Sequence, residues 1–295
     1  MKTLTLGTDF GPFATNGQCA IPFEDFITKL DCKFFIGQGG FAENIPGGYS
    51  TKINLQAARK AGVPIIGEYY WLDADDNPQA VIDAWSRDVD ANNPDFCAYD
   101  LEQDRGASGA LFTGAQIARL TVPVISGMRK RFPQKKHVVY SRTGLLATWK
   151  ELLPFIAEED SIWLAANPDY GLTTYEMSWA DIKAGIMRRV TNYNIKPYPW
   201  ELMNVHDDSA GPDLSLTPKA KNVFWQTGSR RKPQVALIPG IYNHPYDWTY
   251  WLGDFESLRA WAGLAPVVPP VTPVEKTLEQ KVDIMWANYA GPGKL

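Results

Sequence analysis

The sequence predicts an α/β fold in which a parallel sheet is covered by helices, and three observations carry that prediction. Short β-branched or aromatic runs alternate with longer amphipathic segments along most of the chain. In those longer segments apolar residues recur at three-to-four spacing, the period of a helix with one buried face. The 295 residues are 45% hydrophobic and 21% charged, which is ordinary globular composition with ample material for a core.

Taken in order, strands are expected at Thr3–Asp9, Lys33–Gly37, Pro64–Trp71, Phe96–Glu102, His137–Ser141, Ser161–Ala166 and Asn222–Thr227. Helices are expected at Thr51–Ala61, which ends at Gly62 with Arg59 and Lys60 in its last turn, and at Pro78–Val89 and Thr113–Phe132. Residues 167–221 break the rhythm with several Pro and Gly and one helical candidate, Trp179–Val190, and read as an inserted excursion. Further on come the strand-like Val235–Ile238 and Trp248–Leu252 and a helix over Phe255–Ala262, so the last strands lack helices between them. A Pro-rich run then acts as a stiff linker over 266–274, which bounds a main domain of residues 1–265. Beyond it, over 275–295, Thr277–Gln280 has the form of a capping box, and Leu278, Val282, Met285, Trp286 and Tyr289 share one helical face. An isolated helix of that length is marginal in water, so it is expected to dock on the main domain, on a second copy or on another protein.

Charge and motifs exclude several function classes. Lys and Arg number 29 against 33 Asp and Glu, a net charge of -4, which disfavours a nucleic-acid backbone binder. No apolar run approaches the roughly 20 residues of a membrane span, so a soluble chain with no membrane partner is expected. The first nine residues alternate like a strand and carry no signal-peptide pattern, which implies synthesis ending in the cytosol. Cys19, Cys32 and Cys97 form an odd set without a metal-binding pair and read as buried free thiols. His137, His206 and His244 lack the spacing of a zinc protease. Gly37–Ala42 fits a dinucleotide fingerprint only formally, since Pro46, Gly47 and Gly48 follow where a helix should open. The acidic stretch Asp73–Asn77 begins like a calcium loop, but Pro78 occupies the glycine position, so it reads as a helix entrance. No metal and no cofactor is expected.

The strongest local feature is Phe96–Glu102, an apolar run that should be buried yet ends in two carboxylates. Side chains alternate along a strand, so Asp100 and Glu102 are expected on one face with Cα atoms about 6.6 Å apart. Acids at the C-terminal ends of parallel barrel strands sit where active sites form. Neighbouring carboxylates drive their pKa values apart and leave one able to act as a general acid, the equipment of a glycosidase. The plain alternative is that the pair caps a helix or pairs with Arg105. Asp9, closing the first strand, and Asp247 supply two more carboxylates for the same rim if the sheet closes into a barrel. Tyr69, Trp71, Tyr140, Trp163 and Trp225 fall where strands end and, with Gln226, are the candidates for a sugar-stacking groove, against the plain alternative of core packing.

These pieces together resemble glycoside hydrolase family 25, the Chalaropsis-type lysozymes common as phage endolysins. The matching segments run in order from Gly7–Asp9 through Phe34–Gly39, Asn54–Gly62, Gly67–Trp71, Tyr99–Glu102, Val138–Ser141, Ile162–Ala165 and Phe224–Gln226 to Asp247–Gly253. The resemblance covers roughly residues 3–263 and implies an irregular TIM-like (β/α) barrel, about five β/α units followed by strands with few helices. It further implies that Glu102 donates a proton to the glycosidic oxygen, that Asp100 stabilises the transition state or orients the substrate acetamido group, that Asp9 and Asp247 complete an acidic floor, and that Tyr69 lines the pocket. The implied substrate is the β-1,4 bond between N-acetylmuramic acid and N-acetylglucosamine in peptidoglycan, and the implied setting is a bacterial cell wall attacked by a phage product released by a separate route. Two positions depart from the family pattern: Asp9-Phe10-Gly11 replaces Asp-x-Ser, and Asp247-Trp248-Thr249 replaces Asp-x-Asn. The alternatives are a wall-binding or virion structural module that keeps the barrel without hydrolysis, and a glycosidase acting on chitin-like polymers.

Overall fold

In the computed structural model the described residues are 5–10, 23–40, 52–106, 109–142, 145–146, 149, 151–152, 161–165, 222–226 and 247–265. By compactness the chain divides into Met1–Leu264 and Ala265–Leu295, and the first unit is described below. The expected elements Trp179–Val190 and Val235–Ile238, the excursion over 167–221, the Pro-rich linker and the tail helix lie outside the described residues.

Eight strands close a barrel in sequence order: β1 (Thr5–Phe10), β2 (Phe34–Gly40), β3 (Ile65–Trp71), β4 (Phe96–Asp100), β5 (Lys136–Arg142), β6 (Ser161–Ala165), β7 (Asn222–Gln226) and β8 (Asp247–Trp251). Strands β1 to β7 run parallel, whereas β8 is antiparallel to both β7 and β1. The described helices are α1 (Phe23–Leu30), α2 (Lys52–Lys60), α3 (Pro78–Asn92), α4 (Gly114–Arg131) and α5 (Phe255–Trp261). This is the irregular α/β barrel that the sequence resemblance implies.

Local chemistry accounts for the element ends. Asn77 caps α3, its side-chain oxygen accepting from Gln79 N and Ala80 N, so the acidic stretch before it is the expected helix entrance. Thr113 and Gln116 form a reciprocal capping box at the start of α4. Helix α1 was not expected from the sequence. Its eight residues are shorter than the window over which helical periodicity is read, but Phe23, Phe26 and Leu30 are buried at helical spacing and Asp31 closes it at φ 59°. Strand β4 ends at Asp100, so Glu102 stands just beyond the strand rather than in it, although Leu101 N still donates to Tyr140 O at 2.9 Å.

Both faces of the sheet are buried, and strict alternation decides which side chain goes where. Inward residues, among them Phe34, Phe96, Phe224, Tyr140 and Trp163, fill the barrel. Gly67 makes room there, because a Cβ would collide with the Phe96 ring. Outward residues such as Tyr70, Tyr99, Val139 and Leu164 belong to an outer cluster that includes the buried faces of α3 and α4. Trp225 follows the outward parity: it is buried in that outer cluster, with its ring 6.3 Å from Tyr250, while its neighbours Phe224 and Gln226 face inward. Its expected place in a sugar groove is therefore corrected to core packing.

Helix α5 closes the end of the barrel at which the parallel strands begin. The Trp261 ring lies 5.2 Å from Phe96 and 5.3 Å from Phe224 and Trp251, and its indole N–H donates to Ser161 Oγ at 2.8 Å. Trp261→Ala is expected to cost about 3–5 kcal/mol, the range for emptying a buried aromatic site. A urea midpoint equal to wild type would contradict this placement.

Candidate active site

The polar residues collect at the opposite end, where the parallel strands finish. Strand β1 delivers Asp9, β4 delivers Asp100 with Glu102 two residues on, β5 delivers Tyr140 and Arg142, β7 Gln226 and β8 Thr249. In register, Asp100 pairs with Trp71 on one side and Tyr140 on the other, and Gln226 pairs with Thr249. Asp247 stands opposite Asp9 in the β1–β8 ladder; its side chain lies outside the described residues.

Asp9 is 5% exposed, and both carboxylate oxygens are bonded: Thr249 Oγ1 donates to Oδ1 and Gln226 Nε2 donates to Oδ2, each at 2.6 Å. Burial, and secondarily the charge of Glu102, push its pKa up to about 7 against the pull of those two donors. Asp100 is equally buried, and its Oδ1 has no hydrogen-bond partner among the described residues. Burial first, then the charges of Glu102 and Asp9, hold its carboxyl well above the usual carboxylate range, with Arg142 opposing them. Glu102 is half-buried: Oε1 lies 3.2 Å from the Tyr140 hydroxyl and 3.6 Å from Arg142 Nε. Arg142 is thus an ionic neighbour of Glu102, while the guanidinium of Arg105 donates to Gly109 O.

Asp9, Asp100 and Glu102 therefore feel one another's charge, with the Arg142 guanidinium acting on Asp100 and Glu102. A partly open acid beside two desolvated acids can deliver a proton to a bound oxygen while another carboxylate faces the positive charge that develops.

The aromatic candidates divide by depth. Tyr69 is half-buried, its hydroxyl donating to Gln38 Oε1 at 3.2 Å and its ring edge-on to Trp163 at 6.2 Å. Trp71, also half-buried, ends β3 beside Asp100. Trp163 lies deeper, 4.3 Å from the Tyr140 ring, with an indole N–H that has no hydrogen-bond partner among the described residues. Tyr140 and Gln226 are buried, and their polar groups bond to Glu102, to Asp9 and to each other.

Thr249 and Arg142 were not singled out as site residues from the sequence. Thr249 appeared only as a departure from a family pattern, yet it shares a strand face with position 247; Arg142, two residues past Tyr140, is a charge ending an apolar strand.

Other titratable groups serve the fold. Glu68 points outward, accepting from Trp85 Nε1 at 2.9 Å and Asn92 Nδ2 at 2.7 Å, and burial pushes it up to about 8. His137 stands between Tyr99 and Phe132 O, and burial pushes it down to about 4, so it is neutral. Cys32 and Cys97 are buried free thiols, and Cys19 lies outside the described residues. Among the described residues no three His, Cys, Asp or Glu side chains are grouped to hold a metal ion.

No family model matches the sequence, and no curated protein matches it. Solved structures do match the fold. The bacterial lysozyme from Streptomyces coelicolor is 15% identical, with 88% of this chain and 96% of that one covered at a TM-score of 0.56. A family 25 glycosyl hydrolase from Bacillus anthracis is 13% identical, with 89% and 94% covered at 0.53. The catalytic domain of an endolysin from a bacteriophage of Listeria monocytogenes is 12% identical, with 88% and 98% covered at 0.52. Over close to nine-tenths of its length, then, this chain has the barrel fold of the family 25 glycosyl hydrolases and lysozymes.

Proposed function

We propose that the protein is a peptidoglycan hydrolase of the lysozyme type, cleaving the β-1,4 bond between N-acetylmuramic acid and N-acetylglucosamine. The observation that carries this reading is the meeting of Asp9, Asp100 and Glu102 at the C-terminal mouth of the barrel, with two of the three acids desolvated. The lysozyme, glycosyl hydrolase and endolysin with the same fold support the substrate class.

In this reading Glu102, the most accessible of the three, protonates the departing glycosidic oxygen. Asp100, with a buried oxygen that has no hydrogen-bond partner among the described residues, bonds the substrate acetamido group or the transition state. Asp9 is oriented by Thr249 and Gln226 to oppose positive charge building on the sugar ring. Tyr69 and Trp71, half-buried on β3, the latter in register with Asp100, offer flat faces to a pyranose. Desolvation matters because charge–charge interactions strengthen as water is removed.

The test is product analysis with the full chain on purified peptidoglycan and, separately, on chitin oligomers. New reducing ends on N-acetylmuramic acid are the expected products. Cleavage of chitin alone would overturn the substrate, and tight wall binding without released saccharide would replace the enzyme with a binding module.

A further inference from the structure

We infer that Arg142 is a substrate-binding residue whose guanidinium receives a carboxylate of the glycan, a group that muramic acid units bring to the mouth and chitin units lack. The inference rests on the reading of this mouth as a peptidoglycan-cleaving site, and it gives that site a means of telling its substrate from a neutral chitin-like polymer.

The fold puts Arg142 at the rim of the mouth. It stands two residues past the inward-facing Tyr140 on β5 and so keeps the same parity. Its register partner on β6 is Ala165, another inward residue, which pairs in turn with Gln226 on β7. The side chain keeps 36% of its surface exposed, so the guanidinium is within reach of a ligand.

The plain alternative is that Arg142 only neutralises Asp100 and Glu102, and its geometry is poor for that alone. A guanidinium committed to one carboxylate presents two parallel N–H groups at about 2.7–2.9 Å. Here Glu102 Oε1 is approached by Nε at 3.6 Å, too far for a hydrogen bond, and Nε has no hydrogen-bond partner among the described residues. No hydrogen bond joins either Nη group to a described residue. The guanidinium of Arg105, by contrast, is tied to Gly109 O. The planar fork of Arg142 is left for a ligand, and a carboxylate is the planar acceptor that matches it.

Charge argues for the same ligand. Asp9, Asp100 and Glu102 meet at this mouth and repel any anion that enters. A neutral sugar polymer needs no cation there, whereas a glycan bearing carboxylates does, because like charges brought together away from water are costly. Muramic acid offers its lactyl carboxylate where the stem peptide has been removed, and the stem peptide offers carboxylates of its own where it has not. The chemistry presented to Arg142 is the same in both cases.

The test uses the full chain on soluble glycan strands, peptide-free and peptide-bearing, each with its carboxylates either intact or converted to neutral methylamides. Wild type is expected to lose about tenfold in kcat/KM on conversion, the scale of one charge-assisted pair partly open to water. A loss on the peptide-free strands assigns the lactyl carboxylate, and a loss on the peptide-bearing strands alone assigns the stem peptide. Arg142→Met should be slower on intact strands yet indifferent to conversion, and Arg142→Lys, which keeps the charge without the fork, should fall between. A role confined to Asp100 and Glu102 would instead slow the variants equally on intact and converted strands. Wild-type rates that ignore conversion on both kinds of strand overturn the inference, and that result needs no variant to fold. If wild type cleaves none of the strands the hydrolase reading fails, and their binding to wild type and to Arg142→Met then decides the inference by the same tenfold criterion.

Discussion

Glu102→Gln is expected to abolish hydrolysis of cell walls while leaving the fold intact. Removing a general acid typically costs 10²- to 10⁴-fold, and an amide of the same size cannot protonate a leaving oxygen. The structural cost should be small. Glu102 stands just beyond β4, its ion pair with Arg142 is 3.6 Å long and partly exposed, and such pairs contribute about 0–1 kcal/mol. Release of reducing sugar gives the activity, and thermal unfolding gives the control. Activity within a few-fold of wild type, in a variant that melts normally, would remove Glu102 from the chemistry.

Asp9→Asn should lower activity by about 10²-fold, the scale of losing one preorganised electrostatic group, while making the protein more stable at pH 8. In the unfolded chain Asp9 releases its proton near 3.8, whereas in the folded protein it holds it to about 7. Between those values the folded state binds the extra proton, so this group's contribution is fully present below about pH 4 and is lost as pH rises through 7. Roughly three pH units at about 1.4 kcal/mol each set a ceiling of about 4 kcal/mol on the loss. Asparagine has no proton to lose. Urea unfolding at pH 5 and pH 8 should show the variant gaining on wild type at the higher pH. Glu68, held up to about 8, adds its own slope to both proteins, so the difference between them carries the result. Parallel curves would mean that Asp9 is not desolvated as described.

Much of this architecture was legible because its strands are apolar on both faces and bounded by turn residues. Phe96–Asp100 is the clearest case: five buried residues ending in an acid that core packing does not explain. The direction of β8 was not legible, since alternation tells which side chains share a face but is blind to the sense in which the strand runs. Helix α1 was too short to show a period. Among the candidate site residues, Asp9, Asp100 and Glu102 stood out as carboxylates ending apolar runs.

Their partners could not be read the same way. Thr249 reaches Asp9 across 240 residues of sequence and Gln226 across 217, and those bonds exist only because the barrel closes β7 and β8 against β1. Trp225 shows the complementary error. An aromatic at a strand end suggests a sugar platform, but the inward parity of Gln226 turns Trp225 to the outer face.

The most direct test of the central claim is a crystal structure of Glu102→Gln with a bound peptidoglycan saccharide spanning the scissile bond. The glycosidic oxygen is expected within about 2.6–3.2 Å of the residue 102 side chain, with the sugar ring facing Asp9 and Asp100. A saccharide seated away from these three positions would contradict the account.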